Sequence, residues 1–208
     1  MNIFYLHTNA RKAAMMHCDK HCVKMILETA QMLCTAHRVL DGDARGDKLG
    51  LYRSVHQKHP STLWVRASMS NYLWAYDLYM FLCQEFLARY GKQHNSRHLA
   101  GSLYLPPKNI AENVPFTHPP QCMPSQYKHP CTVTAYRQYY IGEKAYFARW
   151  KNSIVPDWWV PLKAWGVVRK GKPRHGASLR GLVGCASARN RIRTYGLGAA
   201  MLGIVRRA

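Results

Sequence analysis

Between Ser61 and Gly91 the apolar side chains return every three or four residues: Val65, Met69, Tyr72, Tyr76, Tyr79, Cys83, Phe86 and Tyr90. A period of 3.6 gathers that set onto one stripe, whereas a strand, with its period of two, would scatter it over both faces. The spacing predicts a helix over residues 61–90, with Ser61 as N-cap and Gly91 as the stop beyond its C-terminus. Tyr72, Tyr76 and Tyr79 follow the core stripe and read as packing rather than as platforms for stacked bases.

Two further segments read as helix. Over residues 9–40, Val23, Ile26, Leu27, Ala30, Leu33 and Cys34 repeat at helical spacing until Asp41-Gly42 ends the run. The opposite face would carry one polar line of His21, Lys24, Glu28, Gln31 and Thr35. Residues 132–150 form the third, through Tyr136, Tyr139, Tyr140, Tyr146 and Phe147, with Gly142 as a weak point. Asn2 to Leu6 is a short apolar run suited to a buried strand or an extended arm, which would carry the N-terminus into the fold. Residues 41–50 read as a Gly and Asp loop, and residues 51–55 as the start of a short helical turn. Residues 91–130 hold seven of the eleven prolines and are expected to be irregular but packed. The fold class is therefore mainly α: a compact three-helix domain with a short N-terminal extended arm and a proline-rich irregular segment.

The length fits one domain, and the formal charge of +20 is its outlying property. A charge that large draws a protein to polyanions, nucleic acid first and anionic membrane second. Up to Asp157 there are 19 Lys and Arg against all ten acidic residues, a balance of +9; from Trp158 onward 11 Lys and Arg stand without an acid. Residues 1–158 thus form the domain. Residues 159–208 read as a basic low-complexity tail, either a nucleic-acid-binding extension or, from the run Ser187-Ala188-Arg189-Asn190-Arg191-Ile192-Arg193-Thr194-Tyr195-Gly196, a stretch resembling out-of-frame translation of structural-RNA sequence, with no function expected there. The seven cysteines are odd in number, and the opening residues are too short and too soon interrupted by His7 and Arg11 for a signal peptide. Thiols in a reducing compartment, and so a cytoplasmic protein, are the expectation. No stretch reaches the roughly 18 consecutive apolar residues of a membrane span, and a monomer is expected.

The densest polar cluster is His17-Cys18-Asp19-Lys20-His21-Cys22-Val23-Lys24-Met25-Ile26-Leu27-Glu28. On a helix His17 and His21 share one face, as do Cys18 and Cys22, and such pairs can hold zinc. A tetrahedral site needs about four ligands and no second pair stands at a recognised spacing. Buried cysteines with surface histidines, and no metal or cofactor, are expected instead. Glu28 sits mid-helix, beyond any capping role, where a pair with Lys24 at i, i+4 would contribute only a few tenths of a kcal/mol.

The pattern Asp19-x-His21 followed by Glu28 on a first long helix, after a short apolar arm, resembles the pyrimidine-dimer DNA glycosylases of the phage endonuclease V type. Lys58-His59-Pro60 leading into a long aromatic helix, and the ending with Tyr139-Tyr140 and Trp158-Trp159, follow the same order of parts, so that the likeness covers roughly residues 1–158. The same cluster and ending also look like a group of uncharacterised phage proteins, in which case the cytoplasm would be that of the host.

The resemblance implies that an N-terminal α-amine attacks the sugar carbon as a Schiff-base nucleophile and that Glu28 stabilises the cationic intermediate and assists elimination. An α-amine, with a pKa near 8, keeps a substantial unprotonated fraction at neutral pH where a lysine near 10.4 does not. Asn2 is too large for efficient removal of the initiator methionine, which assigns the amine to Met1, with Lys20 or Lys24 as substitutes. Leu27 and Gln31 stand where the family would carry arginines. The candidate catalytic residues are Glu28, Met1, Asn2, His21 and Lys24. Lys20, Gln31, His59 and Arg66 are the candidates for DNA binding, the last two as phosphate contacts at a helix start. The expected function is a DNA glycosylase with associated lyase action on damaged or modified pyrimidines. The alternatives are a non-enzymatic phage DNA-binding or DNA-modification accessory protein, and a metalloprotein built on His17, Cys18, His21 or Cys22.

Overall fold

The computed structural model describes residues 1–159, and they are helical: α1 Ala10–Met16, α2 Asp19–Asp41, α3 Asp43–Lys48, α4 Pro60–Ala67, α5 Met69–Tyr90, α6 Ala100–Leu103 and α7 Thr132–Lys144. Short 3-10 turns at Asn95–Leu99 and Ser125–Tyr127 complete the regular structure, and no strand occurs among the described residues. The mainly α class holds, with more and shorter pieces than three helices. Residues 160–208, the tail read above, lie outside the described residues.

Each predicted long helix is interrupted or cut short. Residues 9–40 divide at His17 and Cys18, both extended, between α1 and α2. Residues 61–90 divide at Ser68, whose hydroxyl accepts the Asn71 N–H at 3.2 Å and so caps α5. Asn71 closes the other side of the break, its amide donating to the Trp64 carbonyl at 3.1 Å. The third helix stops at Lys144 rather than 150, because the chain turns to bring the Arg149 carbonyl onto the Asp19 N–H at the start of α2, 2.8 Å away. Residues 51–55, expected to start a helical turn, are irregular, and the 41–50 loop contains α3. Gly42, with φ of +91°, supplies the conformation that ends α2. Gly142 does not break α7; its bare Cα is where the Tyr127 ring lies against the helix.

α5 is the central post, packed on α1, α2 and α4, while α2 lies along α3, α4 and α5. Tyr72, Tyr76 and Tyr79 of α5 are buried as expected, whereas Tyr90 at its end is exposed, and the three buried hydroxyls do a second job. Tyr72, Tyr76 and Tyr79 donate to the carbonyls of Leu103, Ala100 and Ser96, which fastens the proline-rich segment to the core. The same segment supplies the Thr117 carbonyl to the Trp64 indole N–H at 3.0 Å. It is irregular and packed, because its polar backbone is satisfied by the helices.

The α1–α2 break is held by one buried cation. Arg89, its side chain 1% exposed, donates to the carbonyls of Met15 and His17 and pairs with Asp19 and Glu85. Arg89→Met keeps the aliphatic stem and strips these groups of their partner. Breaking a buried pair in this way costs about 3–5 kcal/mol. The measurement is urea or thermal denaturation, and a loss below about 1 kcal/mol would contradict this account.

Candidate functional site

The arm is the element that builds the site. Residues 2–6 have no regular secondary structure, the Leu6 N–H turning back onto the Phe4 carbonyl at 2.9 Å, and Ile3, Phe4, Tyr5 and Leu6 are all buried. Phe4 stacks on His21 with ring centres 4.3 Å apart and meets Tyr140 edge-on. Tyr5 packs against Trp74, and Arg137 donates to the Leu6 carbonyl. The arm is therefore threaded beneath α7 and across α2, which fixes where its first residue emerges.

It emerges at Glu28. The α-amine of Met1 lies 4.0 Å from Glu28 Oε2, and the Asn2 N–H donates to the same oxygen at 3.1 Å. The other oxygen, Oε1, pairs with Lys24 Nζ at 3.2 Å. The Glu28 side chain is only 13% exposed, so its charge is partly withdrawn from water and strongly felt by its neighbours.

Asn2 is an anchor rather than a reactive group. Its side-chain amide donates to the Cys122 carbonyl at 3.0 Å, and its side-chain oxygen accepts from the Tyr136 hydroxyl at 2.9 Å and from the Ile3 N–H at 2.8 Å. The hydroxyl of Tyr136, fully buried in α7, also lies 2.6 Å from the Pro120 carbonyl, so its one O–H is shared between the two acceptors. The Met1 side chain is 2% exposed, with its sulfur 3.4 Å from the Thr62 hydroxyl in α4. Side chains of the first two residues are locked, and the amine is held beside the carboxylate by both.

His21 does not belong to this cluster. The polar line predicted for α2 is wrong at two of its members: His21 and Thr35 are buried, while Val23 and Leu27, read as core, are about 40% exposed. Docking of the arm rotates the buried face, since Phe4 and Tyr140 close over His21, whose Nδ1 is 2.6 Å from the Tyr140 hydroxyl. Burial, with the positive charges of His17, Lys144 and Lys24 behind it, pushes the His21 pKa down to about 3. The imidazole is neutral and walled off from Glu28. His17 is likewise buried, not on the surface, with Nδ1 on the Ala13 carbonyl at 2.7 Å.

The remaining candidates lie around the amine and carboxylate to different degrees. Lys24, Glu28 and Gln31 sit on successive turns of α2. Lys20 is one turn further back, its ammonium 5.2 Å above the Phe147 ring. His59 caps α4, accepting the Ser61 N–H on Nδ1 at 3.1 Å. Burial lowers its pKa, helped by the positive α-amine and His56 and opposed by Glu28. Arg66 is engaged elsewhere, bracing the Gln57 carbonyl at 2.7 Å. A groove of about 510 Å³ opens beside Leu27, between Tyr52, Phe86 and the 92–96 turn. Glu28 and Met1 do not line it.

Sequence reasoning missed Tyr136, Thr62 and Cys122, which position the arm. Their roles depend on contacts across 61 to 134 residues of chain, for which no local pattern exists.

Among the described residues no group of three or more His, Cys, Asp or Glu is placed to hold a metal, and no helix is long and apolar enough to cross a membrane. Cys18, Cys22, Cys34, Cys83 and Cys122 are free thiols. No protein-family model, no curated protein and no solved structure matches this chain.

Proposed function

We propose that this protein is a DNA glycosylase with associated lyase action on damaged or modified pyrimidines. The observation that supports it above all others is the α-amine of Met1 held 4.0 Å from Glu28, at the end of a clamped arm. The balance of +9 in residues 1–157 provides affinity for the phosphate backbone.

The chemistry follows from that pair. The unprotonated amine adds to C1′ of the damaged nucleotide; the glycosidic bond breaks, and the base leaves with the bonding electrons and takes up a proton. The amine proton is lost, the C1′–O4′ bond opens with protonation of O4′, and a cationic imine joins Met1 to the sugar. Glu28, at the point where that positive charge develops, stabilises it. A proton then leaves C2′, its electrons form the C2′–C3′ double bond, and the 3′ phosphate departs. Water hydrolyses the imine and frees the amine. Lys24, on the other carboxylate oxygen, holds Glu28 in place and offers the strand a cation. The target nucleotide must leave the stack to reach such a pair.

The test is borohydride trapping of the full chain on duplexes containing an abasic site and on ultraviolet-irradiated DNA. A covalent adduct mapping to the Met1 peptide is expected. An adduct at Lys24 would move the nucleophile to that side chain. No adduct, with salt-sensitive DNA binding intact, would leave the accessory DNA-binding role in its place.

A further inference from the structure

We infer that His59 is a substrate-contacting residue of this site, donating the hydrogen bond of its Nε2–H to a phosphate oxygen of the DNA strand whose sugar lies against Met1 and Glu28. The inference rests on the proposed function for the position of that sugar.

The imidazole has one nitrogen occupied and one left over. Nδ1 accepts the Ser61 N–H at 3.1 Å, which requires a lone pair there and so places the proton of the neutral ring on Nε2. No side chain or carbonyl of the described residues takes that second nitrogen, and the ring is half-buried rather than enclosed. Three residues on, Thr62 touches the Met1 sulfur at 3.4 Å, so the turn that begins at His59 forms the wall of the arm's exit. The Met1 amine, His56 and Glu28 are the charged and titratable groups acting on the ring. Burial first, then the Met1 amine, lowers its pKa from the ordinary 6.5, so its role at physiological pH is that of a fixed donor and not of a cation. A neutral donor adds to affinity for a phosphate oxygen without releasing a counterion, unlike Lys24 or Lys20. It therefore discriminates position along the strand.

Two substitutions separate capping from contact. His59→Asn keeps an acceptor in the place of Nδ1, and asparagine is among the best N-caps, so the helix is preserved while the distal donor is lost. His59→Gln reaches the place of Nε2 with its own N–H but forfeits the cap. The measurement is equilibrium binding of the full chain to a duplex carrying a tetrahydrofuran abasic analogue, which cannot form an imine. His59→Asn is expected to weaken binding about ten-fold at pH 8 with an unchanged salt slope and melting temperature. His59→Gln is expected to melt about 3 °C lower and to bind within about three-fold of the parent.

Wild-type affinity in His59→Asn, or equal weakening in both variants, would overturn the inference. So would a ten-fold loss that appears only below about pH 6.5, where an imidazolium would be the binder. If the parent gives no trapped adduct yet His59→Asn still weakens binding, the glycosylase reading fails and the phosphate contact stands. If the parent does not bind the duplex, both fall.

Discussion

Glu28→Gln is expected to lower lyase turnover on an abasic duplex by a factor of about 100 to 10,000 while leaving the fold intact. The amide is isosteric and keeps an oxygen to accept the Asn2 N–H, which the carboxylate now does at 3.1 Å. What it removes is the negative charge 4.0 Å from the amine, and with it the stabilisation of the imine cation. Lys24 loses its partner too, but its side chain is 66% exposed and water takes the place of the carboxylate at little cost. Denaturation should thus move by less than about 1 kcal/mol. Steady-state strand cleavage and single-turnover borohydride trapping, read on the same preparation, check both halves. A variant that cuts within a few-fold of the parent removes Glu28 from the chemistry. A variant that unfolds would mean that the carboxylate holds the arm and that its charge is structural.

The pairing of Met1 with Glu28 illustrates what a sequence discloses and what it withholds. Glu28 stood out because, mid-helix and beyond any capping role, it completes the pattern Asp19-x-His21 followed by Glu28 that resembles the glycosylase family. The arm stood out because Ile3, Phe4, Tyr5 and Leu6 are apolar and precede the first helical spacing. That the two meet is a long-range fact, set by Asn2 bonding to Cys122 and Tyr136, residues 120 and 134 positions away. The misplacement of His21 has the same origin. On α2 alone it belongs with Lys24 and Glu28, yet the arm adds a second layer that buries this side of the helix, and Val23 and Leu27 are turned out. Helix type survives such rearrangement because it is local. Helix boundaries do not: Ser68 and His17 interrupt runs whose apolar period continues across them, since a single side chain that captures a backbone N–H, or a cation such as Arg89 that gathers carbonyls, outweighs the propensity of one or two residues.

Acidification should unfold this domain well above the range where carboxylates titrate. His17, His21 and His37 are all buried, chiefly against Ala13, Tyr140 and Tyr72, and burial lowers their pKa values from the ordinary 6.5 to about 4, 3 and 4. Arg89 adds to the effect at His17 and Arg45 at His37, where Asp41 opposes it. The sign follows from proton uptake. Between pH 6.5 and the folded-state values, the unfolded chain binds protons that the folded chain refuses, so stability falls as pH falls and is flat above about pH 7. At pH 5 each of the three histidines costs about 2 kcal/mol, on the order of 6 kcal/mol together, which is comparable to the whole stability of an ordinary domain. Urea midpoints at pH 7.5 and pH 5.0 measure the difference, and equal midpoints would refute it. His21→Phe sharpens the test. Phenylalanine can keep the stacking on Phe4 but cannot titrate, so the slope of stability against pH below 6.5 should lessen by up to about 1.4 kcal/mol per pH unit. The cost at neutral pH is the Tyr140 hydroxyl left without its imidazole partner, which sets the loss of that bond against the removal of an acid-labile group from beneath the arm.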